Sequence, residues 1–243
     1  MRVMTWNIHG AIECARWFEL ERVVNFISAI EPDIVALQEV DSRHLKDGRD
    51  VFTVLQESLG NHGIGAKSII AEDGGYYGQM LISRWPIREV RVEDISYGEF
   101  EPRRAVSSCI ETPQGPLRVV ATHLGLSIKE RREQVRALLR MAAEPARGVV
   151  LLGDFNDWFW PGSVRKVLCR ELPGYSRHRT FPSLCPVFRL DRIFCRPADI
   201  LVRCWTDVEA RHISDHLPVM GELTLAQARI LSQVHKLNVA PAS

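Results

Sequence analysis

Apolar and polar positions in the first forty residues follow a strand pattern, then a helix pattern, then a strand pattern again. Residues 3–8 alternate apolar and polar side chains, which predicts a β-strand. Residues 17–30 carry apolar side chains at helical spacing, and Pro32 ends this predicted helix because proline disfavours helical geometry before it. The apolar run 34–37 predicts a second strand. Strand, helix and strand in this order form the unit that builds α/β sheets. The helical positions are Phe18, Val23, Phe26, Ile27 and Ile30.

The same mixture of patterns continues as far as residue 224. Further helices are predicted over about 50–58 and 128–143. Further strands are predicted near 64–70, 79–83, 105–111, 117–122, 149–153, 192–196, 200–205 and 217–224. Loops are predicted at 73–75, 97–104 and 173–188. Because no repeat, low-complexity segment or linker interrupts the chain, we predict one domain over 1–224 and a terminal helix or tail over 225–243.

Composition and charge narrow the class of protein. The 243 residues suit one large α/β domain, and 46% hydrophobic with 25% charged residues is ordinary for a globular protein. A net charge of +1 gives no basic excess that would favour tight electrostatic binding of DNA. A local basic patch inside a neutral total remains compatible with this charge.

The cysteines and the apolar runs indicate the cellular compartment in which the protein is expected. The six cysteines include no CxxC pair, which disfavours a zinc site and predicts reduced, mostly buried thiols. The N-terminal segment MRVMTWNIHG lacks the pattern of a signal peptide, and no apolar run reaches the length of a membrane span. We therefore expect a cytoplasmic, monomeric protein.

Acidic, amide and imidazole residues recur where predicted strands begin or end. Each of them alone fits an ordinary cap, turn or structural histidine. Together they predict one pocket, because strand termini at one edge of an α/β structure converge. The residues are Asn7, Glu39, His123, Asp154, Asn156, Asp191, Asp215 and His216.

The residue types in this set favour chemistry on a phosphate. Oxygen ligands from Glu39, Asn7, Asp154 and Asn156 suit Mg²⁺ or Mn²⁺, and no cysteine or histidine cluster competes for zinc. Mg²⁺ typically takes one or two carboxylates and keeps places for substrate phosphate oxygens. Histidines and an aspartate would then move protons around the phosphate. The sequence therefore predicts a divalent-metal site and a phosphate-ester substrate.

Eight short motifs, in order, resemble the endonuclease/exonuclease/phosphatase superfamily, the DNase I-like metal-dependent phosphoesterases. They run from Thr5 to Val219, and the short loops and the stretch RTFPSLCPVFRLDRIF resemble a small bacterial branch. The resemblance implies a four-layer α/β fold, in which two mixed, mainly antiparallel sheets are flanked by helices and the active site lies at one end. The motifs are TWNIHG, DIVALQEV, GQMLISRWPI, RRAVSSCIE, VATHLGL, LLGDFND, RLDRIF and SDHLPV.

The resemblance also implies how metal and water are handled. Glu39 and Asn7 would hold the metal ion, and Asp215 would lie beside it. Asp154 of the GDFN motif would orient or deprotonate the attacking water. Asn156 would contact a phosphate oxygen or the transition state.

Two histidines have roles implied by the same resemblance. His216 would stabilise the developing charge on phosphorus and would be oriented by Asp191. His123 would protonate the leaving group, as its counterpart does in the nuclease branch. In that branch a carboxylate near residues 76–80 holds the histidine, whereas the present sequence reads YYGQM there and contains no acid.

Four further positions near these motifs have less definite roles. Arg104 is the predicted phosphate contact, with Arg103 as the alternative, and Gln79 is a predicted substrate contact where many relatives carry Asn. His9 follows Asn7 by two residues on the same predicted strand face, so it either approaches the site or is a structural histidine. Asp157 matches no catalytic position, and we interpret it as a helix cap.

The predicted function is a Mg²⁺- or Mn²⁺-dependent phosphoric ester hydrolase, most specifically a phosphodiester hydrolase. Two alternatives are a nuclease acting on DNA ends or single strands, and a hydrolase of phospholipid or sphingomyelin-type head groups. The aromatic run 158–160 could form an apolar lip, a platform for stacking bases, or the start of a helix packed on the core. A binding module without catalysis is disfavoured, because every matched catalytic position carries a competent residue.

Overall fold

Two six-stranded β-sheets pack face to face, and helices cover their outer faces in the computed structural model. The structure describes residues 1–9, 16–43, 50–72, 74–158 and 164–225, with the side chains of residues 16–19 left aside. The predicted four-layer α/β fold is therefore confirmed. None of the described helices is both long enough and apolar enough to cross a membrane.

The elements alternate along the chain much as the hydrophobic pattern predicts. The helices are α1 (Arg16–Ile30), α2 (Val51–Leu59), α3 (Ile128–Ala142) and α4 (Arg165–Glu171). The first six strands are β1 (Arg2–Asn7), β2 (Ile34–Asp41), β3 (His62–Ile70), β4 (Tyr76–Ser83), β5 (Ile87–Asp94) and β6 (Arg104–Thr112). The others are β7 (Gly115–His123), β8 (Gly148–Asp154), β9 (Gly174–Tyr175), β10 (Asp191–Arg196), β11 (Leu201–Thr206) and β12 (Val219–Leu223). Short 3₁₀ helices cover Ala198–Ile200 and Val208–His212.

Both sheets are built around one parallel strand pair. The first sheet has the order β11-β12-β1-β2-β4-β3, and the second has the order β5-β6-β7-β8-β10-β9. Within the described residues, β1 pairs in parallel with β2 and β7 pairs in parallel with β8, while the other pairings are antiparallel. Parallel strands end at the same edge of a sheet, so each sheet delivers two strand ends to one rim.

Three apolar clusters hold the four layers together. The central cluster lies between the sheets and includes Val3, Ile34, Val119, Val150 and Ile193. One outer cluster packs α1 and α2 on the first sheet, and the other packs α3 and α4 on the second sheet. Burial on both faces explains why the central strands are nearly continuous apolar runs.

Some elements were not predicted from the sequence. Strand β5 was missed because six of its eight residues are exposed at this sheet edge, so buried and exposed positions do not alternate. Helix α4 was also missed, and β9 interrupts the loop predicted over 173–188. Strand β2 continues to Asp41, beyond the predicted end at residue 37.

The end of the described chain bears on the predicted domain boundary. Leu225 is fully buried in the central cluster, and its backbone N–H donates to Gln114 Oε1 over 2.7 Å. The domain therefore includes at least one residue that we assigned to the tail. The rest of the predicted terminal helix or tail lies outside the described residues.

Replacing Gly153 by alanine tests the close approach of β7 and β8. Gly153 has φ of +152°, and a Cβ there would lie 1.9 Å from the Thr122 carbonyl oxygen. We expect Gly153→Ala to lower the free energy of unfolding by about 3 kcal/mol or more, measured by urea denaturation. Gly98→Ala is the control, because φ is +57° there but no atom lies within 4 Å of the added Cβ. It should cost about 1 kcal/mol, and equal losses would contradict the steric account.

Candidate active site

One rim of the double sheet collects the polar residues that the sequence singles out. Asn7 ends β1, Glu39 lies near the end of β2, His123 ends β7 and Asp154 ends β8. Strand pairing places Asp154 opposite both His123 and Asp191, the first residue of β10. The segment with Asp215 and His216 enters the same rim just before β12. The predicted convergence of these residues is observed in the structure.

Unusual backbone geometry aims three side chains at the rim. His9, Glu39 and Asn156 have φ of 48°, 56° and 48°, a left-handed conformation that non-glycine residues seldom adopt. At Glu39 it coincides with a shift in the pairing of β2 with β4 between Leu37 and Val40, which is the mark of a β-bulge. Strained residues of this kind cluster at functional sites when surrounding contacts hold them in place.

The Asn7 amide links the carboxylates of the two sheets. Its Nδ2 donates to Glu39 Oε1 over 2.9 Å and to Asp154 Oδ2 over 3.0 Å. Its Oδ1 accepts the backbone N–H of His9 over 3.0 Å. Asn7 therefore lies inside the predicted metal cluster, but its oxygen is already engaged. Its predicted role as a ligand stays a prediction.

Glu39 is an anion over the whole ordinary pH range. Burial would raise the pKa of this carboxyl, but its contacts with His9 and Asn7 lower it to about 2. Its Oε2 lies 3.5 Å from His9 Nδ1, and the same nitrogen lies 3.6 Å from Asp215 Oδ1.

The His9 imidazole thus sits between two carboxylates. Contact with Glu39, followed by the charge of Asp215, raises its pKa against the effect of partial burial. Of the two interpretations open for His9, approach to the site is the one observed. The residue lies beyond the end of β1, so backbone conformation rather than strand alternation brings it there.

His216 and Asp191 form a buried ion pair beside Asp154. His216 Nδ1 donates to Asp191 Oδ2 over 2.8 Å and lies 3.9 Å from Asp154 Oδ2. Burial would lower the pKa of His216, but the charges of Asp191, Asp154 and Asp215 raise it to about 10. The imidazole is therefore a cation near neutral pH. Burial and the charge of Asp191 raise the pKa of Asp154 above its ordinary range.

The SDH segment is fixed to β1 by its serine and by a tryptophan. Ser214 Oγ donates to the Asn7 carbonyl over 2.7 Å and accepts the His216 backbone N–H over 3.1 Å. Trp6 Nε1 donates to the His216 carbonyl over 2.9 Å. These two residues were missed as parts of the site, although both stand inside quoted motifs. They position His216 without facing substrate.

The GDFN motif folds into a turn that presents both of its polar side chains. Asp154 Oδ1 accepts the backbone N–H of Asn156 over 2.9 Å, which closes an Asx turn. Asn156 Nδ2 donates to the Leu124 carbonyl over 2.8 Å and lies 3.2 Å from His123 Nε2. Between them, Phe155 is buried against Phe194. An apolar residue thus anchors the turn while its neighbours face the rim.

His123 meets a cation where the nuclease branch has a carboxylate. Arg103 Nη1 lies 3.3 Å from His123 Nδ1 and donates to Glu101 over 2.8 Å. Burial and the Arg103 charge lower the pKa of His123 to about 3. A neutral ring suits hydrogen bonding better than proton donation. Its predicted role as the acid for the leaving group stays a prediction.

The two predicted substrate contacts on this side have backbone partners. Gln79 Nε2 donates to the Arg104 carbonyl, and the Arg104 guanidinium donates to the Lys67 carbonyl over 2.9 Å and lies 3.4 Å from Asp94. Both residues line a small recess with Arg103 and His123. Arg103, the alternative left open by the sequence, is the one that contacts a site residue directly.

Aromatic rings border the His216 side of the rim. Trp158 packs against Phe181 and Phe188, each with ring centroids 5.1 Å apart, and Phe181 lies 4.8 Å from the His216 ring. Trp158 Nε1 also donates to Asn156 Oδ1 over 3.2 Å. The rest of the aromatic run, at residues 159–160, lies outside the described residues, and the helix cap at Asp157 stays a prediction.

The donor set at this rim fits a hard divalent cation. Glu39 and Asp215 supply carboxylate oxygens, and among the described residues no cysteine takes part in the cluster. Among the described residues, the group of three whose ligand atoms all lie within 4.8 Å of one another is Asp154, Asp191 and His216. There the protonated His216 competes with a metal ion, so the Glu39 side suits a cation and the His216 side suits an anion.

Sequence comparison assigns the class that this fold and site define. Residues 4–216 match the profile of the Endonuclease/Exonuclease/phosphatase family. The chain belongs to this family, as its eight motifs predicted.

Individual relatives are similar over nearly the whole chain. The Escherichia coli protein YbhP, described as uncharacterized, is 30% identical over 250 residues, covering 92% of this chain and 96% of its own. An endonuclease/exonuclease/phosphatase from Beutenbergia cavernae is 23% identical with a TM-score of 0.71, covering 91% of this chain and 71% of its own. The 3′ phosphatase NExo from Neisseria, bound to a product DNA hairpin, is 20% identical with a TM-score of 0.63, covering 92% and 99%.

Removing the Asp191 charge tests the origin of the His216 cation. In the metal-free protein, imidazole nitrogen chemical shifts should give His216 a pKa of about 10, which Asp191→Asn should lower the most. Asp215→Asn is the control and should lower it less, because the Asp215 charge contributes least of the three. A wild-type His216 that titrates near 6.5, or one that Asp191→Asn leaves unchanged, would contradict this account.

The raised pKa of His216 also makes the stability of the fold depend on pH. The folded pKa of His216 lies above its ordinary value of 6.5, so the pairing stabilises the fold fully below that pH. The contribution should disappear as the pH rises through about 10, and Asp191→Asn should reduce it. Chemical denaturation across this pH range measures the effect.

Proposed function

We propose that this chain hydrolyses phosphate esters, most specifically phosphodiesters, with a divalent ion, Mg²⁺ or Mn²⁺, held at Glu39 and Asp215. One observation supports this proposal above the others. A carboxylate cluster suited to a metal cation and a protonated His216 lie on either side of Asp154 at the same rim. A phosphoryl group placed between two positive charges would be stabilised as negative charge develops on its oxygens.

Asp154 is the proposed group that handles the attacking water. It is buried, and its carboxylate lies between Asn7 and His216. Its raised pKa makes it a better proton acceptor than an exposed aspartate. Asn156 lies beside it, fixed by the Asx turn, and is the proposed contact of a phosphate oxygen.

His216 is the proposed electrostatic stabiliser of the transition state. Asp191 binds its Nδ1, so Nε2 is left to donate a hydrogen bond to a phosphoryl oxygen. The bound metal ion would supply Lewis-acid polarisation of the phosphoryl group. At the opposite side of Asp154, Glu39 keeps the negative charge that such an ion requires, and the Asp215 carboxylate lies on the other side of His9.

His123 and the arginines remain proposed substrate contacts. The neutral His123 can donate one hydrogen bond to the ester, in the orientation set by Arg103 and Asn156. Arg104 and Gln79 lie beside Arg103 and His123, and both stay proposed substrate contacts.

A specific observation favours a nuclease acting on DNA ends or single strands as the second candidate. The rings of Trp158, Phe181 and Phe188 stand beside His216, and aromatic rings next to a phosphate site can stack unpaired bases. The Neisseria neighbour is a phosphatase bound to DNA. At 20% identity, its structural similarity to this chain supports a shared fold and does not identify the substrate.

Two substitutions test the proposed chemistry. Asp154→Asn and His216→Ala should each lower kcat/KM for bis-p-nitrophenyl phosphate by about a thousandfold or more, because they remove the water-handling group and the imidazolium. Asp199→Asn, beyond the far end of β10, is the matched control and should leave the rate unchanged. Cooperative unfolding transitions above the assay temperature would show that the variants are folded.

The same assay decides between catalysis and a binding module. Turnover should require Mg²⁺ or Mn²⁺ and stop when a chelator is added. DNA, RNA, phospholipid and sugar-phosphate substrates compared under identical conditions would then identify the ester. Wild-type protein without metal-dependent turnover on any of them would overturn the proposed function.

A further inference from the structure

The geometry points to His9 as a direct ligand of the metal ion, in a mixed nitrogen and oxygen site with Glu39 and Asp215 that prefers Mn²⁺ to Mg²⁺. This inference rests on the proposed metal-dependent function and specifies its metal centre. The sequence offered only oxygen ligands for that centre.

The distances from the His9 imidazole to the two carboxylates suit ligands of a shared ion. His9 Nδ1 lies 3.5 Å from Glu39 Oε2 and 3.6 Å from Asp215 Oδ1. Atoms about 2.1 Å from one metal ion are about 3.0 Å apart at octahedral angles and about 3.4 Å apart at tetrahedral angles. Each of the two separations from His9 Nδ1 is therefore within a few tenths of an ångström of the spacing between two ligands of one ion.

The hydrogen bonds at the rim also distinguish the atoms that would bind the ion from the atoms that hold the site together. Glu39 Oε1 accepts from Asn7 Nδ2, so Oε2 is the oxygen turned toward His9. Asn7 Oδ1 accepts the His9 backbone N–H. The Asn7 amide is thus used to hold Glu39 and His9, and the imidazole occupies the place that the sequence assigned to the Asn7 oxygen.

Backbone conformation and exposure make His9 available. Positive φ at both His9 and Glu39 turns their side chains toward each other across the ends of β1 and β2. The His9 side chain is 56% exposed, and it borders a pocket of about 310 Å³ with Glu39 and Tyr77. A hydrated ion can reach this position from solvent.

An imidazole ligand changes which ion the site prefers. Mg²⁺ favours oxygen ligands almost exclusively, whereas imidazole suits first-row transition metals, and mixed carboxylate sites accept Mn²⁺. Removal of the nitrogen should therefore weaken Mn²⁺ binding more than Mg²⁺ binding.

The test compares His9→Asn with wild type. Asparagine tolerates the left-handed backbone at this position, so the substitution removes the imidazole without forcing a new conformation. Titration calorimetry should show Mn²⁺ affinity reduced by about tenfold or more, with a smaller change for Mg²⁺. Pulsed electron paramagnetic resonance of the Mn²⁺-loaded wild type should detect a directly bound nitrogen, and this signal should be lost in His9→Asn.

His62→Asn is the matched control. His62 begins β3 and pairs with Ser83, which in turn pairs with Ile34 at the start of β2. Glu39 lies near the other end of β2. This variant should keep both the Mn²⁺ affinity and the nitrogen signal.

The outcomes separate this inference from the function on which it rests. A nitrogen signal that persists in His9→Asn, or Mn²⁺ bound by wild type without any nitrogen signal, would overturn the His9 ligand and leave metal-dependent hydrolysis standing. Wild-type protein that binds neither Mn²⁺ nor Mg²⁺ and lacks turnover would overturn both.

Discussion

The Asn7 amide is the contact on which the geometry of the rim depends. Its Nδ2 joins Glu39 of the first sheet to Asp154 of the second sheet, and its Oδ1 holds the His9 backbone. Two sheets that pack through apolar side chains could slide relative to each other without changing the chemistry of their contact. A buried hydrogen-bonded bridge gives them one relative position, because a shift would leave polar groups unsatisfied. Carboxylates from separate sheets are therefore held within reach of one substrate atom.

The carboxylates gathered at one rim require compensating positive charge, and the two sides of the rim supply it differently. Glu39, Asp154, Asp191 and Asp215 repel one another, and three of them surround one imidazolium, His216. On that side Asp191 binds Nδ1 of the protonated ring, and its Nε2 is left to donate a hydrogen bond to a phosphate oxygen. On the Glu39 side His9 offers a half-exposed imidazole, which a metal ion can engage. The division of the rim into a cation side and an anion side follows from which histidine Asp191 binds.

The sequence predicted the layers and most of the rim, for identifiable reasons. Continuous apolar runs predict the buried strands, and GDFN and SDH mark where those strands end. Three features were not predictable. Strand β5 is exposed on both faces and shows no period. The bulge at Glu39 appears only when β2 is paired with β4. The contact between Arg103 and His123 depends on how β6 lies beside β7, which local pattern does not encode.

A crystal structure with Mn²⁺ and inorganic phosphate tests the central claim most directly, since anomalous scattering locates the metal without assumptions. The account predicts one metal peak bonded to Glu39 and Asp215, and a phosphate oxygen within hydrogen-bond distance of His216 Nε2. A metal bound instead among Asp154, Asp191 and His216, or a phosphate bound away from His216, would contradict the division of the rim into a cation side and an anion side.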